Sequence, residues 1–506
     1  MLTLIIYYEI NSLVCILQGY EFSNLALVCK KNFKLEGRYY MGRQNSLGEE
    51  KITKLLLKFS IPAIIGMLVN ALYNIIDRVF IGHIPEVGNL AITGVGVTMP
   101  ISTIILGFGM LVGIGTATTI SIRLGQDKKE EAEKILGNAF TLIIIISLAI
   151  TAIGLIWGKD ILRMFGASSN TLVYAEEYMQ IIFIGTIFNM LSFGLNHTIR
   201  ASGSPNIAMA SMLIGAFTNI ILDPIFIFTL GMGVKGGAIA TVIAQIASAI
   251  WGLSFFLRGN ANLKVKAKNF KLEKKLVLAI FAIGMSPFSM QIAASAVQVI
   301  SNKSLMAYGG DLAIGAMTII NSVSTIFLMP IFGLNQGMQP IVGYNYGAKK
   351  YDRVKEAMKY PQIAALIIAT IGFLMIELIP GVLVKSFNSD PELLSITKHG
   401  MRIFLCMVIL VGPQIIRTNY FSCIGKAKKS MFLSLLRQVI LLIPFLIILP
   451  MIPLPNGETL GLTGVWMAGP TSDFISVIIT HFMFKHEIKK LDNPDIEDGE
   501  VMGEAI

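Results

Sequence analysis

Charged side chains are scarce in this chain. Asp, Glu, Lys and Arg make up 14% of its 506 residues, where soluble proteins carry about 25%. That shortage excludes a soluble globular domain, and with 54% hydrophobic residues it predicts a polytopic membrane protein. Cysteine is rarer still: Cys15, Cys29, Cys406 and Cys423 have neither zinc-site spacing nor a disulfide framework. The five histidines are scattered, and His481 and His486 read as interfacial residues at the end of the last apolar run rather than as metal ligands. With no His-rich metal site and no paired nucleophile and base, a membrane-embedded enzyme has no group to catalyse with. The net charge of +10 is not a nucleic-acid signal, because the basic residues sit in short loops between apolar runs. Such loops anchor a chain on an anionic leaflet.

What is present is a series of apolar runs, near 55–81, 90–122, 135–157, 172–195, 203–230, 236–257, 276–307, 312–341, 359–380, 395–419, 429–451 and 460–484. These predict twelve membrane spans. Several exceed ~25 residues, so tilt or kinks are expected, with Pro62, Pro100, Pro224, Pro287, Pro330 and Pro444 as kink candidates. Loops after even-numbered spans are rich in Lys and Arg (Arg123 to Lys129, Arg258 to Lys275, Lys349 to Arg353, Lys426 to Lys429), and those after odd-numbered spans are not. By the positive-inside rule both termini are expected in the cytoplasm. Residues 1–40 differ from the rest. Their apolar stretch is interrupted by Glu9, Asn11 and Gln18 and lacks signal-peptide features, so an over-extended leader ahead of Met41 is expected, or alternatively a peripheral helix.

The chain repeats itself. Gly88-Asn-Leu-Ala-Ile matches Gly310-Asp-Leu-Ala-Ile, and the same step brings Ser102 onto Ser324, Gly115 onto Gly337, Gly125 onto Gly347, Lys128 onto Lys350 and Gly203 onto Gly425. Gly233-Val-Lys-Gly and Gly461-Leu-Thr-Gly correspond at a slightly larger step. The expected fold is therefore an all-α membrane protein of twelve transmembrane helices in two pseudo-symmetric six-helix lobes. The first lobe covers 41–257 and the second 276–485, with a basic linker at 258–275 and a tail at 486–506. Parallel repeats of this kind enclose a cavity and rock about it.

One stretch in the first half carries chemistry: Asn219-Ile-Ile-Leu-Asp223-Pro224, deep in an apolar run. A carboxylate there costs roughly 2.5–3.5 kcal/mol on insertion scales and marks a functional site. Asn219 lies four residues earlier on the same face, and Pro224 frees the Ile220 carbonyl one turn back. Span 1 carries Asn70, Asn74 and Asp77 as one stripe. Counting depth along each span puts Asp77, Asp223 and Thr241 in the outer half, with Asn219 one turn deeper and Tyr178 and Gln180 of span 4 in the same layer. If the two acids share a pocket, they can hold a proton or a sodium ion and release it when the pocket rearranges. The competing readings are an interfacial role for Asp77, a structural role for Asp223, and outward-facing positions for Tyr178 and Gln180.

The second half is different. The repeat places Val299 and Phe445 where the first half has Asp77 and Asp223. Its deep polar groups are mostly neutral: Gln291, Gln298, Asn321, Gln336, Gln339 and Gln414. Of these, Gln291, Asn321 and Gln339, with Asp473, are candidates for a substrate chamber. Asp473 reads either as a second ion or substrate-cation site or as a partner of Arg437. The 26 methionines suit an adaptable apolar chamber and equally suit packing.

Ser60-Ile-Pro62, Tyr73-Asn-Ile-Ile-Asp77-Arg-Val-Phe-Ile-Gly82, Leu90-Ala-Ile-Thr-Gly-Val-Gly, Gly203-Ser-Pro, Asn219 to Pro224, Val234 to Thr241 and Gly343-Tyr-Asn-Tyr-Gly347 together resemble the multidrug and toxic compound extrusion (MATE) family, in detail its MepA-like subgroup. The likeness spans Gly48 to Lys490. It implies a two-lobed exporter of small-molecule drugs in a bacterial cytoplasmic membrane. No cofactor and no nucleic acid are implied, and H⁺ or Na⁺ would be the coupling ion. A monomer is expected, with the lipid bilayer as its other partner. The family's first-lobe cation site falls on Asp77, Asn219, Asp223 and Thr241, and its bending first-helix proline on Pro62. The carboxylates that some relatives place on helices seven and ten have no counterpart here. A flippase for lipid-linked sugars is the rival within the superfamily. Its chambers are strongly cationic, whereas this chain has only Lys303 and Arg437 at depth.

Overall fold

The computed structural model describes residues 46–492 apart from 86, 259–260, 386, 388–389, 454 and 456–457. Every helix described below belongs to one compact unit that begins at Leu47. The expected leader at 1–40, and the tail beyond 492, lie outside the described residues.

A backbone in hydrocarbon must satisfy its own hydrogen bonds, and helices do so within one segment. In the first half the helices are α1 Ile52–Gly82, α2 Gly88–Gly125, α3 Lys129–Met164, α4 Leu172–Ala201, α5 Pro205–Pro224 and α6 Gly233–Leu257. The second half opens with one run, Lys274–Gly347, whose helical path breaks only at Gly310 (φ 62°, ψ −159°). Only glycine enters that region without steric cost. The run therefore divides into α7 (274–309) and α8 (311–347). Then come α9 Tyr351–Leu378, α10 in two pieces (Pro391–Phe404 and Val408–Cys423), α11 from Ala427–Leu435 through a π-helical turn at Leu436–Leu442 to Ile443–Ile448, and α12 Gly461–Lys490. Each of the twelve expected spans falls on one of these helices. Among the described residues there is no strand, only an isolated bridge between Pro453 and Thr459.

Two of the six prolines flank irregularities, Pro224 before one π-helical turn and Pro444 just after another, Leu436–Leu442. Pro62, Pro100, Pro287 and Pro330 sit inside helices that run on without a break. Pro224 does precede a distortion, the π-helical turn Ile225–Thr229, closed by the Leu230 amide donating to the Ile225 carbonyl (2.8 Å). The 50° bend in α10, at 405–407, contains no proline.

The repeat is visible in the backbone. Asp127 and Lys349, which correspond, share φ 58°; Gly203 and Gly425 have φ 93° and 81°; Gly233 and Gly461 have φ 56° and 49°. It is visible again where the lobes cross. A Cβ at Gly125 would lie 2.0 Å from the Tyr344 carbonyl oxygen, and one at the corresponding Gly347 would lie 2.2 Å from that of Ile122. So α2 and α8 touch backbone to backbone at the basic end of the bundle. Nearby, Asn345 donates to the Leu47 carbonyl (3.0 Å), Lys350 to that of Gly48 (3.0 Å) and Arg353 to those of Leu47 and Glu50 (3.1 and 2.7 Å). Deeper in, Arg200 of α4 bonds Gln336 of α8. At the opposite end Asn74 and Asn321 are exposed. The lobes are thus joined at the basic end.

Among the described residues, the linker's side-chain hydrogen bonds and ion pairs to the rest of the chain run to α3. The Glu133 carboxylate of α3 accepts from the Lys264 amide (3.1 Å) and the Lys266 ammonium (2.5 Å). That hydrogen bond holds Lys266 above the usual lysine range. Asn138 donates to the Asn269 and Lys271 carbonyls (both 3.2 Å) and accepts from the Glu273 amide (2.8 Å).

At the basic end of α12, Glu487 is 1% exposed and pairs with Lys426, itself 3% exposed, and with Lys429 at 2.7 Å. Removing one member of a buried pair strands the other's charge, at roughly 3–5 kcal/mol. Glu487→Ala is therefore expected to lower the melting temperature in detergent by several degrees, measurable by thermal unfolding. An unchanged melting point would show the pair to be screened by solvent.

Candidate cation site in the first lobe

Four helices converge in the half of the first lobe away from the basic end. From α5, Asn219 and Asp223 are both fully buried, one turn apart on the inner face. From α1 comes Asp77, 8% exposed, its carboxyl beside that of Asp223. From α6, Thr241 takes a hydrogen bond from the Asn219 amide (3.3 Å), which also donates to Asp223 Oδ1 (3.1 Å). From α4, the Tyr178 hydroxyl lies beside Thr241 and faces Asp77. From the same helices and the turn after α5, Ile81, Met179, Phe183, Ile227 and Val234 are buried in one apolar cluster.

The state of the lone pairs decides what this pocket can do. Asp77 Oδ1, Asp223 Oδ2 and Asn219 Oδ1 are buried acceptors with no donor. Each unsatisfied group costs about 1–3 kcal/mol, and the two carboxylates in contact also repel. A proton or a small hard cation removes both penalties at once, since oxygen ligands of this kind suit either. Asp77 has a cation nearby in Arg78, on the exposed side of α1.

The other candidates fall in different places. Asn70 and Asn74 stay on the α1 stripe, with Asn74 donating to the Asn70 carbonyl (2.7 Å). Tyr73, not singled out by the sequence, stands between them beside Asp77. Its signal was spacing, three residues after Asn70 and four before Asp77. Gln180 does not join the pocket: it is exposed and donates to Glu176 (3.3 Å). Pro62 is buried in α1. Just beside it, Ser60 and Ile64 pack on Gly337 and Gly333 of α8.

In the second half, Gln291 is half-buried with its Cβ against Gly107 of α2, and Asn321 is exposed. Gln339 is no open chamber wall: it is buried and donates to Thr118 of α2 (2.8 Å), a tie across the lobes. Asp473 pairs with Arg437 (2.5 Å).

The family model MatE matches residues 62–225 and 288–448, well over half of the chain and one block in each lobe. The chain belongs to the MATE family. Among curated MATE proteins it is 28% identical to "Multidrug export protein MepA" of Staphylococcus haemolyticus (strain JCSC1435) over 417 residues, 82% of this chain and 90% of that one. The protein of the same name from Staphylococcus aureus (strain MSSA476) is 28% identical over 416 residues, 82% and 89% of the two chains. Among solved MATE structures, a ligand complex of the "MATE multidrug transporter DinF-BH" is 37% identical, with TM-score 0.80 over 87% of this chain and 96% of that one. An outward-facing MATE transporter of the MOP superfamily gives TM-score 0.82 over 89% and 99% at 23% identity, a likeness of fold. The all-helical, two-lobed architecture expected from the repeat is thus that of the family.

Proposed function

We propose that this protein is a secondary antiporter that exports small-molecule drugs, chiefly cationic amphiphiles, in exchange for external H⁺ or Na⁺. One observation carries the reading: the Asp77 and Asp223 carboxyls meet inside the first lobe, and Asp77, Asp223 and Asn219 each keep a buried oxygen with no donor. The curated relatives bear the name of multidrug export proteins, which supports the cargo class. The proposed setting is a bacterial cytoplasmic membrane with the basic end of the bundle inside and the protein acting as a monomer. An ion entering from outside neutralises the acidic pair, α1, α5 and α6 repack with Pro62 as the flexing point of α1, and cargo leaves outward. Loss of the ion to the cytoplasm resets the pocket. Asp77 and Asp223 supply the charge, Asn219 and Thr241 the neutral oxygens, and Tyr178 and Tyr73 the lining.

Everted vesicles under separately imposed sodium and pH gradients test this directly. Cargo accumulation is expected to follow one gradient and to vanish when that gradient is collapsed. Accumulation indifferent to both refutes antiport. Thr241→Val removes one neutral oxygen and the acceptor that orients Asn219, a loss of ~1.4 kcal/mol or about tenfold in affinity for the driving ion. The expected result is a rightward shift in the ion-activation curve with the maximal rate little changed.

A further inference from the structure

The second lobe keeps a charged pair about two helical turns nearer the basic end than the level of Asp223 in the first lobe. Stepping by the repeat that aligns Gly203 with Gly425 and Gly233 with Gly461, Asn219 falls on Leu441 and Thr241 on Gly469. Arg437 precedes Leu441 by four residues and Asp473 follows Gly469 by four. Because α11 and α12 run in opposite directions, both side chains lie one helical turn toward the basic end of that position. They meet: Arg437 Nε donates to Asp473 Oδ1 at 2.5 Å.

Three features set this pair apart from a structural ion pair. First, it is not closed over. The Arg437 side chain is 33% exposed and that of Asp473 11% exposed. A guanidinium in the middle of an apolar span turns its exposed part to a water-filled space rather than to lipid, where the cost would be several kcal/mol. Second, the backbone around it is irregular on two helices. Arg437 sits in the π-helical turn Leu436–Leu442, and the Arg437 carbonyl takes its hydrogen bond from Ser472 on α12 (2.7 Å). Beside Asp473 is Cys406, at the break in α10. Irregular backbone at membrane depth is tolerated where it is buried in protein or lines a cavity, and the partial exposure of Arg437 favours the second. Third, the guanidinium is half used. Among the described residues neither Nη atom has a partner, so the two-pronged edge that matches a carboxylate is free.

We propose that the Arg437–Asp473 pair is a cargo-recognition subsite for the carboxylate of an amphiphile, with Asp473 positioning Arg437 through Nε so that its Nη edge faces the cavity. This rests on the exporter reading and adds a second polarity to it. A cargo carrying both an amine and a carboxylate would be read by acids in the first lobe and by a guanidinium in the second.

The experiment uses the purified full-length protein in detergent and two fluorescent probes: an amphiphile with a tertiary amine and a carboxylate, and the methyl ester of the same molecule. Binding is followed by fluorescence anisotropy. The wild type is expected to favour the free acid by roughly tenfold, the scale of a charge-assisted bidentate contact. In the double variant Arg437→Gln/Asp473→Asn, which strands no charge, that ratio is expected to fall to about one at an unchanged melting temperature. Arg437→Lys keeps the charge and loses the fork, so an intermediate ratio is expected, and this variant decides the matter if the double variant does not fold. A wild type that binds acid and ester equally, or variants that keep the wild-type ratio, overturn the subsite. Because binding is read without a gradient, that failure stays separate from a failure of antiport, which only the vesicle assay reports.

Discussion

Asp223→Asn is expected to abolish gradient-driven export while leaving the protein folded. The asparagine fills the same space and still meets the Asn219 amide, but it can neither take up a proton nor bring charge to a cation. The ion site and the cargo site are then uncoupled. Couplings between sites run to ~3 kcal/mol at the upper end, so efflux is expected to drop on the order of 100-fold. Stability should move the other way. Asp223 is fully buried beside Asp77, and removing one of two touching carboxylates relieves repulsion. The melting temperature in detergent should therefore hold or rise. Efflux by proteoliposomes and drug resistance in cells report the first expectation, and thermal unfolding the second. Wild-type efflux from the variant would end the case for this pocket as the coupling site.

The second large effect is expected at a glycine far from the acidic pocket. Gly125→Ala puts a methyl 2.0 Å from the Tyr344 carbonyl oxygen, a contact that no side-chain rotation relieves because both atoms are fixed to the backbone. Overpacking costs roughly 1–3 kcal/mol, and the strain falls only on the state in which α2 and α8 touch. The balance of states should shift ten- to hundredfold away from closure at the basic end. Ser121, 1% exposed and packed on Gly343, is a suitable reporter. With Ser121→Cys in a background free of other cysteines, maleimide labelling should accelerate by at least tenfold on adding Gly125→Ala. Gly347→Ala, clashing at 2.2 Å with Ile122, should do the same from the other lobe. Unchanged labelling in both would mean that the crossing is not a gate.

Most of the fold was legible because its determinants are local. Apolar length and the alternation of basic loops place the helices. The glycine repeat announces two lobes because those glycines are needed for geometry, positive φ at Gly203 and Gly425 and close approach at Gly125 and Gly347, and geometry is what pseudo-symmetry preserves. The polar stripe on α1 and the Asn219–Asp223 pair were legible for the opposite reason: a carboxylate in hydrocarbon is costly enough to stand out against its apolar neighbours. What escaped is non-local. Tyr73 in an apolar run looks like packing until the helices assemble around Asp77. The bend in α10 has no proline to mark it. Gln339 reads equally well as a chamber wall or a bridge, and only the docking of α8 on α2 makes it a bridge.

The way the linker is held has a bearing on how the machine moves. Glu133 and Asn138 fasten its residues from Lys264 to Glu273 beneath α3, so this segment has no slack to give and must ride as part of the first bundle. In the exchange cycle proposed above, the hinge between the bundles would fall where those bonds end and α7 begins, between Glu273 and Lys274. A protease nick introduced earlier in the loop would leave that pivot intact.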